Sequence, residues 1–122
     1  MTAHSPWDLE GVLHKILDFR EQRDWKKFHY PKELAAAISI ESGELQELFL
    51  WKMCESAPEI ISDKERLYRI SDELADIAIY LLLLAHDLDI DLAAAVQSKI
   101  LKNEVRYNVE EHKGVAKKAD FY

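Results

Sequence analysis

The sequence contains few of the residues that cross-link or bend a chain: one cysteine, three glycines and three prolines among 122 residues. Because Cys54 has no second cysteine to pair with, no internal disulfide can form, and we expect the reducing environment of the cytoplasm. The scarcity of glycine and proline disfavours a β-sandwich rich in turns. Long helices are therefore the expected structure.

Long apolar runs and an excess of positive charge are also missing. The longest apolar run, residues 77–85, is far shorter than the roughly 20 residues that cross a bilayer. The first residues have neither the basic start nor the apolar core of a signal peptide, so we expect no membrane association. The net charge of −7 disfavours sequence-independent binding of DNA or RNA. A small anionic substrate remains compatible if a divalent metal neutralises it locally.

Apolar residues at helical spacing predict an all-α fold, a four-helix bundle in a single domain that spans residues 1–122. Ser5 and Pro6 have the residue types of a helix N-cap and first turn, so the first helix is expected over residues 6–23. A second proline, at position 31, begins the next helix, which is expected to continue to about residue 53.

Two further helices are expected in the second half of the chain. Ser62 and Glu65 have the spacing of a capping box, which marks the start of the third helix. The expected bounds are a loop at 55–61, a third helix from 62 to 87, a fourth from Asp89 or Asp91 to about Tyr107, and an irregular arm at 109–122.

Two pairs of acidic residues lie on apolar helices. Glu41 and Glu44 are three residues apart on the second predicted helix, and Glu73 and Asp76 are three apart on the third, so each pair shares one helix face. The short connection between these helices favours antiparallel packing, which brings the pairs together. Four such carboxylates repel one another unless a cation lies among them, and oxygen ligands favour Mg²⁺ or Mn²⁺ over zinc.

The acidic pairs are also compatible with a solvated helix face or with a di-iron site. Carboxylates on a helix often line its solvated face, although two pairs on adjacent helices make this less favoured. Di-iron sites in helix bundles draw on Glu-x-x-His pairs, and the sequence contains none, which disfavours iron. His29 lies two residues before Pro31, and we expect it to form a hydrogen bond at the helix start.

An ordered set of segments surrounds the acidic pairs. The segments are Arg23-Asp24-Trp25-x-x-Phe28-His29-x-Pro31, Trp51-Lys52, Ile79-Tyr80-Leu81 and Ser98-Lys99-x-x-x-Asn103-x-x-Arg106-Tyr107. Together with Glu41-x-x-Glu44 and Glu73-x-x-Asp76, they resemble the MazG-like nucleotide pyrophosphohydrolases, and in particular the dCTP pyrophosphatase branch. The resemblance extends from about Phe19 to Tyr107.

The resemblance implies an all-α enzyme, assembled as a homodimer or as a homotetramer that is a dimer of dimers. It implies Mg²⁺-dependent hydrolysis of a (deoxy)nucleoside triphosphate, dCTP or a modified dCTP, to the monophosphate and pyrophosphate. Such an activity removes unwanted nucleotides from the cellular pool. The alternatives are a related enzyme acting on another nucleotide, such as dUTP, and a non-catalytic helical scaffold or regulator.

The resemblance also implies roles for individual residues. The metal ligands are Glu41, Glu44, Glu73 and Asp76; the residues that enclose base and sugar are Trp25, Trp51 and Tyr80; those that meet phosphates or sugar are Lys99, Asn103 and Arg106. Glu44 or Glu41 is our candidate for taking a proton from the attacking water.

Residue spacing agrees with these roles without settling them. Lys99, Asn103 and Arg106 have the i, i+4, i+7 spacing of one helix face, and Tyr80 lies one turn beyond Asp76. Trp51 is expected two turns beyond Glu44, on the same helix face. The aromatic residues could instead be ordinary core residues, and the lysine and arginine could be solvated surface charges.

Overall fold

The computed structural model describes residues 8–118. Within this range the regular secondary structure is helical, with one short 3₁₀ helix at Lys26–Phe28 and no strand, which confirms the all-α prediction. The α-helices are α1 (Leu9–Gln22), α2 (Pro31–Glu47), α3 (Ala57–Ser62), α4 (Lys64–Asp87), α5 (Leu92–Arg106) and α6 (Val109–His112).

The first helix begins later than predicted. Its N-cap is Asp8, whose carboxylate accepts a hydrogen bond from the backbone N–H of Gly11 over 3.0 Å. An acidic cap satisfies a free N–H group and complements the positive end of the helix dipole. The predicted cap at Ser5 and Pro6 lies outside the described residues.

The second helix begins at Pro31 as predicted, but it ends at Glu47 and not near residue 53. The backbone leaves the helix through hydrogen-bonded turns, and Trp51 then adopts a positive φ of 62°. The prediction was wrong because Leu48 and Phe49 continue the apolar period although the chain has already turned.

The predicted loop at residues 55–61 contains a helix, α3. Ser56 and Glu59 form its capping box: each side chain bonds the backbone N–H of the other residue, over 3.3 and 3.4 Å. The capping box predicted at Ser62 for the start of the long helix was wrong, because Ser62 is the last residue of α3. The long helix that follows, α4, is capped by Asp63 and ends at residue 87, as expected.

The two longest helices, α2 and α4, pack antiparallel. Arg66, near the start of α4, donates from Nε to the carbonyl oxygen of Leu48 just after α2, over 3.1 Å. It also forms an ion pair of 2.6 Å with Glu55. The buried apolar residues of the described chain are Leu34, Ile70, Leu83 and Ala85. This small core leaves much apolar surface exposed.

The chain divides into two compact units, residues 1–88 and 89–122. In the second unit, α5 is capped by Asp91, whose side chain accepts from the N–H of Ala94 over 3.0 Å. The arm predicted as irregular contains the short helix α6, which Asn108 caps. Among the described helices, none is both long and apolar enough to cross a membrane.

Candidate active site

Three carboxylates gather where α2 packs against α4. One oxygen each of Glu41, Glu73 and Asp76 lies within 4.8 Å of the other two, and all three residues are half-buried. Glu73 and Asp76 share one face of α4 because they are three residues apart. The antiparallel packing thus brings together members of both predicted acidic pairs.

Two of these carboxylates have a buried oxygen that lacks a donor within the described part of the chain. Oε2 of Glu41 and Oε2 of Glu73 are buried, and neither has a hydrogen-bond partner among the described residues. Burial, together with the nearby carboxyl groups of Glu73, Glu44 and Asp76, raises the pKa of Glu41 to about 7. Buried charge without a partner is unfavourable, so the cluster favours either a proton or a cation.

Glu44 is placed differently from the other three acids. It is exposed, and it is not one of the three residues whose oxygens lie within 4.8 Å of one another. Its side chain is nevertheless close enough to raise the pKa of Glu41. The predicted set of four carboxylates therefore consists of a compact group of three and a neighbouring fourth.

The donor set fits a hard divalent cation. Three half-buried carboxylates from two helices place one oxygen each within 4.8 Å of the others, and two of them hold buried oxygens without a donor in the range 8–118. Oxygen ligands without cysteine or histidine are the kind that Mg²⁺ and Mn²⁺ prefer. The cluster can therefore bind a metal ion.

A cavity of about 240 Å³ lies beside the cluster, and Asp76 belongs to both. From α4 the cavity is lined by Asp76, Ile79, Tyr80 and Leu83, at the i, i+3, i+4 and i+7 spacing of one helix face. Burial raises the pKa of the Tyr80 phenol, and the charges of Glu41, Asp76 and Glu44 raise it further. Tyr80 is thus placed between the acidic cluster and the apolar part of the cavity.

The α1 side of the cavity is aromatic. Phe19 and Trp25 both line it, and their rings make an edge-to-face contact with centroids 5.7 Å apart. The backbone N–H of Trp25 donates to the carbonyl oxygen of Arg20 over 3.1 Å, which ties the loop to the end of the helix. The cavity therefore offers flat apolar surfaces next to a candidate metal site.

Phe19 and Arg20 line the cavity although no sequence pattern predicted them as site residues. Both lie on the α1 stripe that also places Ile16 in the cavity wall, at i, i+3 and i+4. This spacing was visible in the sequence, but the same pattern marks any helix face that packs on a core.

The structure contradicts the expectation that His29 forms a hydrogen bond at the start of α2. The N-cap of α2 is Tyr30, which makes no side-chain cap, and the buried Nδ1 of His29 has no hydrogen-bond partner among the described residues. His29 lines the cavity instead. Burial lowers its pKa, the charge of Arg20 lowers it further, and Asp87 opposes them.

Trp51 does not lie at its predicted position on α2. Because α2 ends at Glu47, Trp51 is not on the helix face that carries Glu44, and the side chain is 93% exposed. It is not among the residues that line the cavity. Its contact with a base stays a prediction that rests on the family resemblance.

The three predicted phosphate-binding residues all lie on α5, in the second unit. Lys99 is exposed, whereas Asn103 and Arg106 are half-buried. The guanidinium carbon of Arg106 lies 5.6 Å from the ring centroid of Tyr107. Their contact with phosphate stays a prediction.

Comparison with known proteins places these features in a family. The model of the MazG-like family matches residues 36–120. The dCTP pyrophosphatase 1 of Rattus norvegicus is 41% identical over 109 residues, which cover 88% of this chain and 64% of that protein. The human dCTP pyrophosphatase 1 is 42% identical over 100 residues, covering 81% of this chain and 58% of that protein.

A solved structure is also similar. A pyrophosphatase from Archaeoglobus fulgidus shares 38% sequence identity with a TM-score of 0.75, and the match covers 88% of this chain and 99% of that one. The chain spans less than two thirds of the length of the two curated relatives. The extent of the family match and the identity to these relatives show that the chain belongs to the MazG-like family.

Proposed function

We propose that this chain hydrolyses a (deoxy)nucleoside triphosphate between its α and β phosphates, releasing the monophosphate and pyrophosphate. The observation that carries the proposal is the double role of Asp76, which belongs both to the carboxylate cluster and to the aromatic cavity. Asp76 thus connects the proposed metal and phosphate site to the proposed base pocket. The names of the relatives, dCTP pyrophosphatase 1 and a pyrophosphatase, support the same reaction.

The carboxylates would hold the metal ion, which we propose to be Mg²⁺, with Mn²⁺ as a substitute. When bound, it supplies positive charge that neutralises the phosphates and a site that orients water. Glu41, Glu73 and Asp76 are the proposed ligands because their oxygens converge. Glu44, which is exposed and adjacent, is the better placed of the two candidates to accept a proton from the attacking water.

The base would lie in the cavity, against the faces of Trp25 and Phe19 and beside Tyr80. We propose dCTP or a modified dCTP as the substrate, since the curated relatives carry that name. Lys99, Asn103 and Arg106 remain our candidates for phosphate and sugar contacts, because they share one face of α5.

The composition of the chain and its exposed apolar side chains support a proposal about its compartment and its assembly. We propose a single functional domain that acts in the cytoplasm on free nucleotides, with no nucleic-acid or membrane partner. Many large apolar side chains are exposed in the described chain, which supports self-association as a homodimer or homotetramer.

The test is a panel of nucleoside triphosphates, assayed for pyrophosphate release with and without Mg²⁺. We expect release that requires the metal and is fastest with a cytosine nucleotide. A preference for dUTP would change the proposed substrate but not the proposed reaction. Absence of pyrophosphate release from every nucleotide would contradict the proposal and favour a non-catalytic scaffold.

A further inference from the structure

A buried ion pair joins α1 to the end of α4. Nη1 and Nη2 of Arg20 donate to Oδ2 and Oδ1 of Asp87 over 2.7 and 2.8 Å. The two side chains are only 5% and 12% exposed. A bidentate ion pair of this kind fixes the relative orientation of the two side chains as well as their distance, because the planes of the guanidinium and the carboxylate must match.

The ion pair and the carboxylate cluster lie at opposite ends of one stripe of α4. Asp87 is three turns beyond Asp76, about 16 Å along the axis at the helical rise of 1.5 Å per residue. Tyr80 and Leu83, which line the cavity, lie between them on the same face. The cavity wall formed by α4 is thus bounded by the proposed metal site on one side and the ion pair on the other.

Arg20 also connects to the aromatic wall of the cavity. Its side chain lines the cavity, its carbonyl oxygen accepts the N–H of Trp25, and Phe19 precedes it in the chain. A shift of Arg20 relative to α4 would therefore move both aromatic rings relative to Tyr80.

We propose that the Arg20–Asp87 ion pair positions the α1 wall of the cavity for nucleobase binding, by holding Phe19 and Trp25 at the separation from α4 that a base requires. The inference rests on the proposed function. Asp87 acts through Arg20 and is a positioning residue. Removing one partner of a buried ion pair leaves the other charge uncompensated. Phe19 and Trp25 are then no longer held at a fixed distance from α4.

The experiment separates the base end of the substrate from its phosphate end. Asp87→Asn removes the charge with little change of volume, and Asp87→Glu keeps the charge but displaces it. Inhibition of turnover is measured with two products: the monophosphate of the nucleotide that the wild type hydrolyses, and pyrophosphate. The matched control is Glu65→Gln, which breaks an exposed ion pair with Arg69 on the same helix.

We expect Asp87→Asn to weaken monophosphate inhibition roughly 5- to 30-fold, a loss of about 1–2 kcal/mol. Pyrophosphate inhibition and kcat should change less than about twofold, because the carboxylate cluster is untouched. Asp87→Glu should give a smaller effect in the same direction. The doubly substituted Arg20→Asp, Asp87→Arg chain should recover part of the loss, and the control should match the wild type.

Three results would contradict this inference or the function on which it rests. Unchanged monophosphate inhibition in folded Asp87→Asn, or in Asp87→Glu if the first variant does not fold, overturns the inference. Equal weakening of monophosphate and pyrophosphate inhibition also overturns it, because that pattern indicates general loosening. A wild type that hydrolyses no nucleotide contradicts the proposed function itself.

Discussion

Asp76 and Tyr80 lie one helical turn apart on α4, and both line the cavity next to the carboxylate cluster. A single rigid helix therefore carries a candidate metal ligand and part of the wall of the proposed base pocket. Sites built on helices hold their groups more precisely than sites built on loops. Under the proposed function, the distance between the bound phosphates and the bound base is therefore set by α4.

Trp25 is the aromatic residue whose removal should weaken binding of the base most. Stacking on an aromatic side chain is worth about 1–3 kcal/mol per base, so Trp25→Ala should raise KM roughly 5- to 150-fold. The value of kcat should change less, because the carboxylates are untouched. Steady-state kinetics on the preferred nucleotide give both numbers, with circular dichroism to verify the helical fold.

Trp51 provides the comparison, because it is 93% exposed and does not line the cavity. If this cavity is the complete base pocket, Trp51→Ala should leave KM near the wild-type value. The resemblance to the family implies the opposite. A rise of KM in this variant would mean that Trp51 reaches the base from outside the cavity. A wild-type KM for Trp25→Ala would place the base elsewhere.

Local sequence patterns predicted most of the helices, because apolar spacing and the residues near helix starts act over a few positions. The end of α2 was missed because Leu48 and Phe49 keep the helical period and no glycine or proline marks the turn. The start at Ser56 was missed because Pro58 suggested a loop, although proline is well tolerated in the first turn of a helix.

The part of the candidate site that lies on one helix was predicted, because it too depends on local sequence spacing. Glu73 and Asp76 are three residues apart, and helix periodicity places them on one face. Arg20 and Asp87 are 67 residues apart in sequence, so no local pattern links them. Their pairing depends on how α1 packs against α4, which requires the tertiary structure.

The raised pKa of Glu41 predicts how stability depends on pH. The pKa is about 7 in the folded protein against 4.5 ordinarily, so the folded state binds more protons between these values. The metal-free protein should therefore lose stability as pH rises from about 4.5 to about 7. Glu41→Gln removes the buried charge and should raise Tm at pH 8 in EDTA, with the difference shrinking towards pH 4.5.

Thermal unfolding followed by circular dichroism measures this effect. Glu47→Gln, an exposed acid on the same helix, is the control and should show no such pH-dependent gain. Added Mg²⁺ should raise the Tm of the wild type at pH 8, because a ligand that binds the folded state stabilises it. A Glu41→Gln variant that is less stable than the wild type at pH 8 in EDTA would contradict the prediction.

Exposed apolar side chains predict self-association. Leu74 and Leu81 on α4, and Ile100, Leu101 and Val105 on α5, are all exposed. Surfaces of this kind commonly mark protein interfaces. Light scattering coupled to size-exclusion chromatography should give the mass of a dimer or tetramer of the 14.2 kDa chain.

A charged substitution tests which surface is involved. Leu101→Glu should lower the mass observed by light scattering, because it places a charge on an apolar surface. Lys102→Glu, at an exposed neighbouring position on α5, is the control and should leave the assembly intact. An active wild-type species at the monomer mass would refute the association.

The central claim, cleavage between the α and β phosphates at the carboxylate cluster, is tested most directly by product analysis in ¹⁸O-labelled water. With dCTP and Mg²⁺ we expect dCMP and pyrophosphate in equal amounts, and the label in dCMP, because we propose that water attacks the α-phosphorus. Asp76→Asn should lower the rate by roughly 100-fold or more, since metal-ion catalysis is worth several kcal/mol. Asp72→Asn, an exposed acid on the same helix, should retain the wild-type rate. Formation of dCDP and orthophosphate, or near wild-type turnover by Asp76→Asn under limiting Mg²⁺, would contradict the account.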